Sequence, residues 1–147
     1  MLTKITKTDK TQPEIVEIHC YKISEEVKEI VAFVKSRQGQ LTGLIDNKQF
    51  EIPVGDIFYI EAVDNKTFIY TQSKVFETRQ KLYELEAVLR EKRFLRISKS
   101  TLINLMKIKA IKPALNGRFT ALLYSGEETV ISRKYVPELK KALKGEE

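Results

Sequence analysis

The sequence predicts a mostly β chain of the α+β class, with a small β-α-β-β extension at its N-terminus. Three observations lead there. Short apolar or β-branched runs alternate with polar turns from Asp56 onward, helical apolar spacing occurs in only three places, and one of those helices lies near the N-terminus between strand-like segments. With 147 residues, 42% hydrophobic and 31% charged, the chain has the makings of one folded domain with an appendage rather than of a disordered tail.

Residues 14–23, E-I-V-E-I-H-C-Y-K-I, are rich in β-branched side chains and read as a strand, although Ile15, Ile18, Cys20 and Ile23 keep no strict alternation. Ser24 then precedes E-E-V-K-E-I-V-A-F-V-K, which sets Val27, Ile30, Val31 and Val34 on one helical face behind a capping serine and early acids. Gly39 supplies the stop. Residues 41–45 and 50–54 form a hairpin around Asp46-Asn47-Lys48, completing an extension placed at residues 1–50 and leaving 51–147 as the main domain.

In the main domain, residues 57–63, 67–71 and 75–78 make a meander broken at Asp64-Asn65-Lys66 and Gln72-Ser73-Lys74. Residues 79–92 carry Leu82, Leu85, Val88 and Leu89 at helical spacing, with Thr78 as cap, and predict a helix lying across the sheet. Residues 94–97, 101–105 and 110–115 are strand-like. Asn116-Gly117 predicts a two-residue hairpin turn into residues 118–124, and Ser125-Gly126 leads to a short strand at 129–131. From Ser132 the tail reads as a closing helix, with Pro137 in its first turn and Tyr135 or Val136, Leu139 and Leu143 on its buried face. Phe58, Phe68, Phe76 and Phe119 fall on predicted strands and are core candidates.

Charge is unevenly spread. Residues 1–55 hold 8 Lys/Arg against 8 Asp/Glu, so the net +6 lies wholly in the 18 against 12 that follow. It is densest over residues 90–118, where Arg90, Lys92, Arg93, Arg96, Lys99, Lys107, Lys109, Lys112 and Arg118 face Glu91 alone. Such a stretch attracts polyanions, because a Lys or Arg that neutralises a phosphate releases condensed counterions; it also suits a merely solvated surface.

Other chemistry is sparse. His19 is the one histidine, lies in an apolar segment without ligands at metal spacing, and is expected to be buried or half-buried in a structural role. There is no GxGxxG, P-loop or GxSxG, and neither Glu61 nor Asp64 stands in a paired arrangement for acid-base work, so no enzyme, metal or cofactor is expected. Cys20 is the single cysteine, which excludes an intrachain disulfide and fits a reducing compartment. No apolar run approaches the roughly 20 residues of a membrane helix, and the polar N-terminus has no hydrophobic segment behind it, so neither secretion nor membrane insertion is expected and the cytoplasm is.

Residues 93–105, R-F-L-R-I-S-K-S-T-L-I-N-L, resemble the signature of the LytTR family of bacterial DNA-binding domains. Upstream, residues 56–62, D-I-F-Y-I-E-A, are similar to that family's opening strand; downstream, 131–136, I-S-R-K-Y-V, resemble its closing motif before the last helix. The three motifs stand in family order. The resemblance implies an elongated LytTR-type β-sandwich with little helix, whose loops enter successive major grooves. It implies a transcriptional regulator of double-stranded DNA, working as a homodimer on repeated operator half-sites. Carried over by position, base contacts are expected from Lys66 and Thr67, from Ser98 and Lys99, and from Arg133. Arg96, Ser100 and Lys134 complete the contact set, with Ser100 and Lys134 suited to the phosphate backbone.

Two departures bear on this. Where the family often has histidine, in the first turn and at Ser98, this chain has lysine, threonine and serine, which alters the bases it prefers. Many members also carry a receiver domain ahead of the DNA-binding part, and the 50 residues here are too few for one. The resemblance is therefore to stand-alone members, and the extension is expected to form the dimer, to receive a signal from a regulatory protein such as a membrane-associated one, or simply to extend the core. The basic stretch by itself equally suits an RNA-binding module or an acidic protein partner.

Overall fold

The computed structural model describes residues 1–145. Helix α1 (Glu25–Arg37) starts where the Ser24 hydroxyl accepts the Val27 amide at 3.3 Å, with Glu25 and Glu26 in its first turn and Lys35 and Arg37 in its last. Strands β1 (Gln40–Ile45) and β2 (Lys48–Pro53) follow as a hairpin. Asp46 and Asn47 alone make its turn, at φ 49° and 64°, the left-handed pair that a two-residue hairpin requires. The same chemistry recurs at Asp64 and Asn65, φ 50° and 64°, between β3 (Ile57–Val63) and β4 (Lys66–Thr71). Lys48 and Lys66 therefore belong to strands.

After β5 (Val75–Thr78) comes α2 (Leu82–Leu89), closed by a 3-10 turn at Arg90–Lys92 and by Arg93 at φ 64°. The remaining elements are β6 (Phe94–Ser98), β7 (Thr101–Asn104), β8 (Ile108–Pro113), β9 (Phe119–Leu123), β10 (Glu128–Ile131) and α3 (Val136–Leu143). They build a seven-stranded antiparallel sheet, β2-β1-β5-β4-β3-β7-β6, and a three-stranded one, β10-β9-β8. Helix α2 covers one face of the large sheet, burying Ile60, Ile69 and Leu102 against Leu82, Leu85 and Leu89. The small sheet and α3 cover the other face at the β3, β7 and β6 end, where Phe58, Ile97 and Ile103 meet Ala121, Ile131 and Leu139.

Strand β3 serves both cores through a bulge between Ile57 and Tyr59. The extra residue turns Phe58 and Tyr59 to the small-sheet side while Ile57 and Ile60 stay with α2. Tyr59 stacks on Tyr70 at 4.3 Å between centroids and donates its hydroxyl to Glu127 at 3.3 Å. Burial, and then the Glu127 carboxylate, push the Tyr59 hydroxyl above its ordinary range, so it remains a donor. Buried Asn104 joins the strands at their far end: its amide donates to the Ile57 carbonyl at 2.8 Å, and its side-chain oxygen accepts the Met106 amide at 3.0 Å.

Several expectations are corrected. Residues 14–23 form no strand; Ile15, Val16, Tyr21 and Ile23 are exposed, and His19 is 83% exposed beside Glu17 rather than buried. A strand requires a neighbour, and β1, the nearest one, is flanked instead by β2 and β5. The second helix starts at Leu82 rather than at residue 79. The Glu84 carboxylate accepts the Lys81 amide at 2.9 Å and caps it, while Thr78 stays in β5 opposite Thr67. Asn116-Gly117 is not a two-residue turn: β8 and β9 close further out, through the Ala114 amide on the Arg118 carbonyl at 2.9 Å. Gly117, at φ 76°, lies so close to Arg133 that a Cβ would come within 2.7 Å of its Cδ. A 3-10 turn at Arg133–Tyr135 delays the last helix to Val136, and Leu143 is exposed rather than buried. Residue 50 falls inside β2, and Leu44 of β1 pairs with Glu77 of β5, so the N-terminal hairpin continues the main sheet.

Two substitutions test this packing by urea denaturation. Asn104→Ala leaves the Ile57 carbonyl and Met106 amide without their partner and is expected to cost about 1–3 kcal/mol. Gly43→Ala would bring a methyl within 2.6 Å of the Phe76 Cβ and 2.7 Å of Ile52 Cδ1, an overpacking expected to cost about 1–3 kcal/mol. A loss below about 0.5 kcal/mol in either would contradict the role assigned to it.

Candidate nucleic-acid interface

Antiparallel pairing dictates where each loop emerges. Val63 pairs with Lys66 and Glu61 with Thr101, so the β3–β4 and β6–β7 turns leave the large sheet at one end. The Ala62 amide donates to the Ser100 carbonyl at 2.8 Å and links the two. The Ser132 amide donates to the Ile97 carbonyl, also at 2.8 Å, and binds the segment entering α3 to the end of β6. Ile131 pairs with Phe119 and Phe119 with Pro113, which brings the 114–118 loop to the same end, its Gly117 against the Arg133 stem. Four loops from distant parts of the sequence thus share one surface.

Of the expected contact residues, Lys66, Lys99, Arg133 and Lys134 are exposed on these loops, and none forms an ion pair among the described residues. Ser98 and Ser100 are half-buried within the β6–β7 turn, where the Ser98 hydroxyl accepts the Ser100 amide at 3.2 Å. Lys134 lies over the Tyr135 ring at 5.5 Å. Thr67 differs. It is only 4% exposed and lies opposite Ala62 and Thr78 on the α2 side of the sheet, so its hydroxyl is withheld from the surface.

Arg96 is also not free. Its guanidinium donates to Glu86 of α2 at 2.9 Å and to the Lys99 carbonyl, and its side chain is 17% exposed. A planar fork held by a carboxylate on one side and a turn carbonyl on the other fixes the turn's position against α2.

The residues that sequence reasoning missed are Arg118 and Arg79. Arg118 is exposed on the 114–118 loop with its Nε on the Leu115 carbonyl at 3.1 Å, and Arg79 follows Thr78, whose pairing with Thr67 places it at the same end. Conversely, the basic stretch of residues 90–118 is not one surface. The Arg93 carbonyl accepts the Leu105 amide and the Lys107 carbonyl the Tyr124 amide, both at the opposite end of the strands. Over the four loops the charge is one-sided: Lys66, Lys99, Arg118, Arg133 and Lys134 are accompanied by one acid, Asp64. Such an end concentrates positive potential where flexible side chains and turn amides are exposed.

Comparison with known proteins agrees with this geometry. The family model described as the LytTr DNA-binding domain matches residues 47–144. An uncharacterized HTH-type transcriptional regulator of Staphylococcus aureus strain NCTC 8325 is 29% identical over 130 residues, covering 87% of this chain and 88% of the relative. One from strain MRSA252 is 28% identical over the same shares. A solved LytTr DNA-binding domain from Bacillus cereus superposes with a TM-score of 0.67 at 27% identity, over 71% of this chain and 96% of that one. Strands separate the three α-helices from one another, so the chain has no helix-turn-helix among the described residues. The mostly β fold, the three motifs in order and the family match over residues 47–144 lead to one assignment: the chain belongs to the LytTr DNA-binding domain family.

Proposed function

We propose that this chain is a sequence-specific transcriptional regulator that reads the major groove of double-stranded DNA with the loops at one end of its β domain. The observation that carries the proposal is the convergence of four hydrogen-bonded loops, bearing five cations and one acid, on a rigid two-core scaffold. Arg133 supplies a bidentate donor pair for guanine O6 and N7, its stem braced on Gly117, and Lys99 and Lys66 reach base edges or phosphates beside it. Ser98 organises the β6–β7 turn, and Ser100, Lys134 and Arg118 suit the phosphate backbone. Arg96 is a positioning residue, and buried Thr67 is dropped from the contact set.

The protein acts in the cytoplasm as a regulator rather than an enzyme. Among the described residues no helix is long and apolar enough to cross a membrane. Two copies engage repeated half-sites about one helical turn apart, which multiplies the modest affinity of a single loop surface. The part before residue 51 serves dimerisation or receives a signal, such as one from a membrane-associated regulatory protein.

Fluorescence anisotropy on the DNA upstream of the protein's own gene tests these roles. Arg133→Ala is expected to cost about 1–3 kcal/mol on the cognate duplex and little on shuffled duplex. Lys134→Ala is expected to weaken both alike and to lower the slope of log K against log salt by about 1. Equal losses for Arg133→Ala on both duplexes would exclude base reading by Arg133. Equal binding of wild-type protein to cognate duplex, shuffled duplex and single-stranded RNA would reduce the interface to a nonspecific electrostatic surface.

A further inference from the structure

The geometry points to residues 14–23 as an exchanged arm: this segment adds as a strand to the free edge of β2 in a second copy of the chain, and that copy returns its own arm. The inference rests on the homodimeric reading above and supplies its surface.

The first support is the arm itself. It has β-branched strand composition but makes no strand in its own chain, leaving Ile15, Val16 and Ile23 between 66% and 73% exposed. Residues 14–20 form neither helix nor turn, and a bend follows at Tyr21 and Lys22. His19 Nε2 lies 3.2 Å from Glu17 Oε2, a contact between residues two apart that places both side chains on one side. Paired as a strand, the segment would set Val16, Ile18 and Cys20 on the opposite side, and Ile15, Tyr21 and Ile23 on the side of Glu17 and His19.

The second support is the edge. The large sheet ends at β6 and at β2. The edge of β6 is engaged within the chain, since its Ile97 carbonyl accepts the Ser132 amide. The free edge of β8 in the small sheet is guarded by Lys109 and Lys112 and ends in Pro113. Strand β2 carries its lysine and proline only at its ends, with Glu51 bonded to Lys35 between them, and its outer edge has no strand partner in the chain. Along β2 the side chains of Phe50 and Ile52 point to the α2 core, and Phe50 is its half-buried rim, edge-on to Phe76 at 5.6 Å. An added strand with Val16, Ile18 and Cys20 on that side would continue the core past Phe50.

One molecule therefore exposes both halves of an unmade β pair, an apolar strand and an open edge. A two-fold dimer satisfies both halves twice without altering the domain, because an isologous interface uses the same two surfaces reciprocally. At about 3.3 Å per residue the ten-residue arm spans about 33 Å, enough to reach across such an axis. The arm leaves from the N-terminus of α1, where Ile23 and Glu25 face Thr78, Arg79 and Gln80 across a groove.

The test uses the full-length chain without DNA, so it is independent of whether Arg133 reads bases. Wild-type protein is expected to be dimeric by light scattering, and Ile18→Asp to weaken the dimer at least tenfold with its far-UV circular dichroism unchanged. Cys20, the only native thiol, is exposed and lies on the face that would meet Phe50, the same side of β2 as Lys48. Lys48→Cys and Phe50→Cys, made in turn and oxidised, are expected to give an interchain disulfide in at least one case, beyond any formed by Cys20 alone. A monomeric wild type, an Ile18→Asp dimer of undiminished strength, an intrachain Cys20 bridge to β2, or no added cross-link at either position would each overturn the arm exchange. If the arm exchange holds while Arg133→Ala fails to discriminate duplexes, the dimer survives and the base-reading assignment alone is withdrawn.

Discussion

The fold depends on three strands that are buried on both faces. Every residue of β7 is buried, with Leu102 in the α2 core and Ile103 in the small-sheet core, and β6 divides Phe94 and Ile97 in the same way. Strand β3 achieves this through its bulge, which sets Phe58 and Tyr59 on one side and Ile57 and Ile60 on the other. Two-sided burial makes register nearly immovable, because a slip of one residue would exchange the side chains of both cores at once. Two polar residues admitted to this centre are matched: Asn104 bonds Ile57 and Met106, and Tyr59 bonds Glu127.

That rigidity is transmitted to the loops. The β3–β4 and β6–β7 turns and the Ser132 segment all leave strands whose positions the two cores have set, and they are bonded to one another through Ser100 and Ile97. Arg96 adds a strut from α2, through Glu86, to the carbonyl of Lys99. Exposed cations on long side chains are poor instruments of recognition unless their Cα atoms are held, because each must lose rotamer freedom on binding. Here the backbone beneath them is joined by hydrogen bonds between the loops.

The N-terminal part is bound to the main domain at unequal strength. The β1–β2 hairpin joins β5 through a single paired position, whereas β1 and β2 pair along their whole length. Helix α1 is tied to β2 by Lys35 and Glu51 and to the turn after α2 by Arg37 and Glu91. Burial acts to raise the Glu51 carboxyl, but its bonds with Lys35, Gln49 and Thr42 hold it below the ordinary carboxylate range, so that junction is a charged one near neutrality. One paired position and two ion pairs are modest links, since ion pairs near the surface contribute little each.

Local sequence determined most of the elements and the family. Helices α1 and α3, the Asp-Asn turns and the short apolar runs of β3, β4 and β7 follow from capping groups, turn residues and side-chain type, all short-range effects legible in one chain. The three motifs identified the family for the same reason, since they record loop and core chemistry in a fixed order. Tertiary structure decided what depends on partners distant in sequence. Residues 14–23 had strand composition but no neighbour, and Thr67, although beside an exposed turn, was drawn into the α2 face by pairing with Thr78. The Arg96 guanidinium was engaged by Glu86 of α2. The basic stretch was divided between two ends of the molecule because antiparallel strands reverse direction, while Arg118 was brought to Arg133 by the β9–β10 pairing. Composition specifies which groups are charged or apolar; only closure of the sheets specifies which of them face the same way.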